Sequence, residues 1–309
     1  MLDFILNPLE VAVSWILVQA HALLTLIGLK PNAGNTWAFS IVALVIVMRI
    51  LLIPLFVKQI KAQRNLQLIQ PQLKEIQVKY AGDREKQSQE LMKLYSETGT
   101  NPFSSCLPIL AQAPIFFALY TVLQGIAKPF AEGVFTWDQY KDLLLIAHEA
   151  KILDVPLYAT FLNADETINP GNTRIFAVVM VILMTVTMFI TQRQLIVKNI
   201  AADNPIVQQQ KVLLYVFPLL FAVGGVGFPI GVLVYWLTTN LWSMGQQFYV
   251  IRNNPSPGSP AYAAWEERKR KKDLKKGLIS PESETETTNE SDTTQRVQPK
   301  RKPRSKRKK

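Results

Sequence analysis

The sequence holds one cysteine, Cys106, so no internal disulfide can form and the thiol leaves the redox compartment unread. Its two histidines, His21 and His148, are too few for a histidine-based metal site. His148-Glu149 has the start of a zinc-protease helix, but Ile152 stands four residues on, where the second histidine belongs. No glycine-rich run has the spacing that cradles phosphate. The long apolar stretches contain no Asp or Glu at all, and no nucleophile–base pair or set of metal ligands. These absences argue against a nucleotide-driven machine, a metalloenzyme or an intramembrane hydrolase, and no cofactor is expected.

Apolar residues make up 49% of the 309, and they come in long blocks with the charges between and after them. A membrane helix needs about 20 mainly apolar residues. Thr36 to Val57, Phe103 to Ile126 and Ile175 to Thr191 come close to that. Val212 to Gly224 and Ile230 to Phe248 follow as a pair joined by Gly-Gly-Val-Gly-Phe-Pro, which reads as a hairpin with a tight outer turn. The segment Lys58 to Thr98 carries eight Lys/Arg and Ala127 to Asn172 carries three. Basic loops stay inside. The first loop and the tail are therefore expected in the cytoplasm, with five spans and an external N-terminus.

The expected class is an all-α integral membrane protein. A five-span helical core carries a cytoplasmic helical hairpin and an N-terminal interfacial helix. In order, the expected segments are the N-terminal helix (1–35), the first span (36–57), the hairpin (58–100), the second span (101–126) and an external loop (127–173). The third span (174–192), a cytoplasmic loop (193–211), the paired fourth and fifth spans (212–248) and a basic tail (249–309) follow. Within the first segment, Ser14, His21 and Thr25 form a polar stripe opposite Ile16, Leu17, Leu24 and Ile27, the pattern of a helix lying on the outer face. A sixth span is the alternative.

In the hairpin, Leu66, Ile69, Leu73, Ile76 and Tyr80 recur at alternating three and four residues, a coiled-coil seam. Ala81-Gly82-Asp83 supplies the turn and an N-cap for a second helix. Leu143 to Ile146 read as a short helix on the membrane, and Asp203-Asn204-Pro205 marks the later cytoplasmic loop. From Val250 to Lys309 there are 17 Lys/Arg against 8 Asp/Glu, in a protein of net charge +11. That tail suits anionic lipid or nucleic acid, or simply keeps the C-terminus solvated. Its basic clusters are Arg268, Lys269, Arg270, Lys271 and Lys272, then Lys306, Arg307, Lys308 and Lys309.

Arg49 lies 12 residues after Trp37 and nine before Lys58, roughly 18 Å and 14 Å along a helix. An arginine that deep costs about 2.5–3.5 kcal/mol on insertion scales and should face the bundle interior or a wet cavity. Snorkelling to the headgroups is the competing reading. With no carboxylate in the spans, its neighbours must be water, carbonyls or neutral polar groups such as Gln112, Gln192, Thr238, Thr239 and Asn240. A fixed positive charge in a polar cavity would attract an acidic or polar segment from the cytoplasm.

Val47-Met48-Arg49 with Ile53-Pro54-Leu55 resembles the first core span of the YidC/Oxa/Alb family of membrane protein insertases. Asn101-Pro102-Phe103, Cys106, Pro108 and Gln112-Ala113-Pro114-Ile115-Phe116 resemble the start of its second core span. Phe228-Pro229-Ile230-Gly231, Tyr235-Trp236 and Asn240 resemble its last. The resemblance covers about Ile5 to Val250. It implies a hydrophilic groove open to cytoplasm and lipid and closed outside, in a bacterial plasma membrane. The groove arginine falls on Arg49, groove positions on Gln192 and Trp236, and surfaces that substrate spans slide past on Tyr235 and Ala113-Pro114. It also implies nascent membrane proteins as partners, ribosome contact through the basic tail, and a Sec-type translocon as a further partner. Val45 stands where some members have threonine one turn before the arginine. The sequence shows neither the large external domain of Gram-negative forms nor a lipobox cysteine. A small-solute transporter or channel is the rival reading, but the internal repeats it would need are not seen.

Overall fold

The computed structural model describes residues 2–57, 65, 69–99, 107–128, 130–194, 215–216, 218–255 and 259–277, with helix as the dominant element. In chain order the α-helices are α1 (Leu2–Leu26), α2 (Gly34–Leu51), α3 (Gln70–Lys79), α4 (Arg84–Glu97), α5 (Leu107–Ala127), α6 (Lys141–Glu149), α7 (Pro170–Arg193), α8 (Ile230–Asn253) and α9 (Pro260–Lys275). Two-residue strands, β1 (Lys151–Ile152) and β2 (Val155–Pro156), form a small antiparallel hairpin between α6 and α7. Leu66, Asn101 to Cys106, Asp203-Asn204-Pro205 and the terminal basic cluster lie outside the described residues.

Among the described residues, three helices are long and apolar enough to cross a membrane by length and composition: Leu6–Leu26, Gly34–Leu51 and Pro170–Arg193. Residues 218–225 are helical and turn into α8 within a few residues, where Gly227 N–H bonds Gly224 O at 3.1 Å. The expected tight hairpin turn is present.

One end of the bundle is sealed by the segment between α5 and α7, and the reasons are local. Gly34, the first residue of α2, lies so close to the Lys151–Ile152 backbone that a Cβ would overlap it. The N–H groups of Ile230 and Gly231, orphaned at the start of α8, donate to Ala159 O and Leu157 O at 3.0 and 2.9 Å. The β-hairpin turns through Leu153 and Asp154, both at positive φ, as a two-residue turn matching strand twist requires. Val134, Phe135, Ala147, Val155 and Ala159 pack there with Leu17, Trp37 and Ile126 of the helices in one continuous core. The expected helix at Leu143 to Ile146 is α6, with Leu144 buried and Leu145 exposed.

Helix α1 packs on α2 and α5, and its polar stripe turns inward. Ser14 Oγ accepts from Val134 N–H at 2.8 Å and donates to Glu10 O at 2.5 Å. His21 stacks on Trp37 with centroids 4.2 Å apart and bonds Pro31 O at 2.8 Å. A helix lying in the interface with this stripe toward water would leave those side chains exposed. Here Ser14 and His21 are buried, while Trp15, Leu23 and Leu26 face outward. Each polar group finds its partner in the protein, which leaves an apolar surface for surroundings that offer none.

The expected helical hairpin is α3 and α4, packed on each other. Asp83 caps α4 by accepting from Lys86 N–H at 3.1 Å, and Ile69 and Leu94 are buried. Gln87 Nε2 ties the pair by donating to Gln77 O at 3.1 Å. Helix α7 meets α8 through Met180, Val181 and Met184 against Leu233.

Candidate functional site

Arg49 sits in the last turn of α2. Pro54 cannot donate to Ile50 O, so α2 stops at Leu51, Leu52 forms a turn, and residues 53–57 restart as helix. A cation belongs in such a final turn, because unsatisfied carbonyls give a helix C-terminus partial negative charge. The arginine points into the bundle and is 9% exposed, which excludes the snorkelling conformation for it here. Its Nη2 donates to Ser243 Oγ across the gap to α8 at 3.4 Å, and its Cζ lies 5.4 Å from the centre of the Phe56 ring. Among the described residues no carboxylate pairs with it.

The opposing wall is a stripe on α8. Tyr235, Thr239 and Ser243 recur every four residues and so share one face. Tyr235 and Thr239 line a cavity of about 20 Å³ with Arg49, Gln112 of α5, and Val13 of α1. That volume holds about one water. Thr239 Oγ1 is buried there without a hydrogen-bond partner of good geometry. What surrounds the arginine is thus a water-sized space into which Arg49, Gln112, Tyr235 and Thr239 bring polar groups among mainly apolar walls such as Leu44, Met48, Ile115 and Leu119. A wider cavity, mainly apolar and about 720 Å³, opens between residues 53–57 and the last turns of α8, and Phe56, beside the Arg49 guanidinium, lines it.

Of the residues singled out in the sequence, Arg49, Gln112 and Tyr235 are brought together. Asn240 is not: its Nδ2 donates to Met184 O of α7 at 3.3 Å, which makes it part of helix packing. Trp236 stands in an aromatic cluster with Phe116, Phe221 and Phe228 at centroid distances of 5.6, 5.3 and 4.8 Å. Gln192 lies in the last turn of α7 and does not line the arginine chamber. Ala113 and Pro114 are half-buried on α5, with Pro114 inside the helix. Ser243 and Phe56 were not singled out from the sequence. The four-residue spacing of Tyr235, Thr239 and Ser243 was the signal for the first. His148 is structural, bonded to Ile126 O at 3.0 Å and stacked on Tyr158, and no metal-type cluster exists among the described residues.

In the second compact unit of the chain, α9 carries the first basic cluster. Lys271 hydrogen-bonds Glu267 at 2.6 Å and holds that carboxyl below the usual range, and Lys269 lies over the Trp265 ring.

A family model described as "60Kd inner membrane protein" matches residues 28–257. A relative from Streptomyces avermitilis, "Membrane protein insertase YidC", is 52% identical over 276 residues, covering 87% of this chain and 63% of the relative. The chain thus spans less than two thirds of that relative's length. Proteins of the same name from Tropheryma whipplei and Bifidobacterium longum are 37% and 32% identical. These alignments cover 84% and 91% of this chain, and 88% and 86% of the relatives. A solved structure described as "Active YidC insertase crystal structure with the first transmembrane domain resolved" aligns with a TM-score of 0.48 and 24% identity. It covers 80% of this chain and 46% of that one.

Proposed function

The chain belongs to the 60Kd inner membrane protein family, and from that premise we propose that it is a membrane protein insertase working without nucleotide hydrolysis. The observation that carries the reading is Arg49, buried and turned toward Ser243 with no acidic partner among the described residues. A charge so placed has unsatisfied attraction for an incoming carboxylate or polar backbone. The basic content of residues 58–98 puts the arginine end at the cytoplasm, and the sealed end then faces outside. In this reading α1 is part of the outer seal, its apolar face in the outer leaflet.

A substrate's short polar flank enters from the cytoplasm and takes Arg49 as its first partner, with Tyr235, Thr239 and Gln112 close by. This shortens its route across hydrocarbon. The apolar segment behind it leaves into lipid along the side of Ala113, Pro114 and Trp236, and its burial drives the step. Nascent membrane proteins are the substrates, and the basic tail engages ribosomal RNA phosphates, a contact that weakens steeply with salt. A Sec-type channel is a further partner.

Arg49→Ala should abolish insertion of a single-span substrate with an acidic external tail, read by protease protection in membranes holding this protein as the sole insertase. Normal insertion by the well-expressed variant would overturn the mechanism. Uptake of small solutes by vesicles that fail to insert substrate would instead favour a channel.

A further inference from the structure

The cavity of about 720 Å³ beside Phe56 is in the size range of ligand sites, yet the polar mechanism makes no use of it. Ile53, Phe56 and Val57, one face of the short helix over 53–57, form one wall. Leu241, Gly245 and Tyr249, every fourth residue of α8, form the other, and the lining runs on to Asn254. Leu241 to Asn254 measures about 20 Å along a helix axis, so this is a groove parallel to α8. One polar pair in the wall is satisfied internally, since Trp242 Nε1 donates to Gln246 Oε1 at 3.2 Å. Ile53, Val57, Leu241 and Tyr249 are all exposed. A Cβ added to Gly245 would meet nothing within 4 Å, so the centre of the groove is open.

In a multi-pass membrane protein, an apolar groove along a span is in contact with hydrocarbon. Water gains nothing from such walls, and the surrounding medium supplies long flexible chains of matching shape. The groove also has the right ends. Its walls are mainly aliphatic and aromatic, with Gln246 held by Trp242, and it reaches Asn254 beside Arg252, where α8 finishes. Tyr249 near that end suits the interface between hydrocarbon and headgroups. We propose that the groove holds one acyl chain of a phospholipid from the leaflet at the arginine end, with its headgroup at the level of Asn254. Phe56 is then the partition: one side of its ring faces the acyl chain and the guanidinium of Arg49 lies 5.4 Å away. The acyl chain backs the ring and holds it between the groove and Arg49.

The test is the phospholipid retained by the full chain, purified in mild detergent and quantified per protein by mass spectrometry. The series Gly245→Ala, Gly245→Leu, Gly245→Phe fills open space without touching Arg49. Retained lipid should stay near the parent level in the first and fall several-fold by the last. A photoreactive side chain placed at Val57 should give an adduct of phospholipid mass. Equal retention across a series whose members all melt cooperatively would overturn the proposal. So would adducts from Val57 with a nascent substrate or a second copy of the chain in place of lipid. Arg49→Ala keeps the lipid on this view, so loss of insertion and loss of lipid can be told apart.

Discussion

At the end of the bundle closed by the segment between α5 and α7, Val134, Phe135, Ala147 and Ala159 have no exposed surface, and every polar group of the α1 stripe has a partner. At the arginine end, Ile53, Val57 and Tyr249 stand exposed around open space beside the buried Arg49. A cavity of about 20 Å³ lies at each end, lined at the first by Leu17, Trp37, Ile41 and Leu123 and at the second by Arg49, Gln112, Tyr235 and Thr239, so the ends differ in the buried charge and in the open groove beside Phe56. On the proposed function, the end closed by the segment between α5 and α7 is the one that excludes solutes, and the end with the charge and the open groove is the one that receives a guest.

The largest test of that contrast pairs two truncations. Phe135→Ala removes a fully buried ring from the packed end and should cost about 3–5 kcal/mol. Val57→Ala removes two methyl groups from a wall that is already 44% exposed and should stay within about 0.5 kcal/mol of the parent. Thermal unfolding in micelles compares them, and equal shifts would mean that the two ends are not differently built.

A smaller effect comes from one added methyl group. Gly34→Ala places a Cβ into the backbone of Lys151 and Ile152, which cannot move without disturbing the β-hairpin. Overpacking of this kind costs about 1–3 kcal/mol. Unfolding measured by denaturant should show the loss, and a parent-like midpoint would show that the hairpin yields.

Much of this was legible because a few sequence signals have a single physical solution. An arginine in hydrocarbon must turn inward, and Arg49 does. A seam at three and four residues followed by an N-cap must form a helical pair, and α3 and α4 do. The allocation of polar residues around α8 was harder. Tyr235 and Trp236 differ by 100° of helical rotation, so one meets the chamber and the other the aromatic cluster, and Asn240 follows Trp236 away from the arginine toward α7. Which face meets which helix depends on packing between α2, α7 and α8, contacts made across nearly two hundred residues of chain. The α1 stripe misled for a related reason: polar side chains on an apolar helix mark the wet face only when no protein group is waiting for them, and here Pro31 and Val134 were.

The smallest effect has the opposite sign and sharpens the contrast most. Gly245 lies inside α8, where the added backbone freedom of glycine in the unfolded chain costs about 0.5–1 kcal/mol relative to alanine. A Cβ there meets nothing within 4 Å, so Gly245→Ala should stabilise the protein by about that amount. The same substitution is therefore predicted to weaken the packed end at Gly34 and to strengthen the groove wall at Gly245. A packed surface has no room for a methyl group and an unfilled one does. If Gly245→Ala instead destabilised the chain by as much as Gly34→Ala, the space beside Phe56 would be occupied by protein, and the arginine end would be as closed as the other.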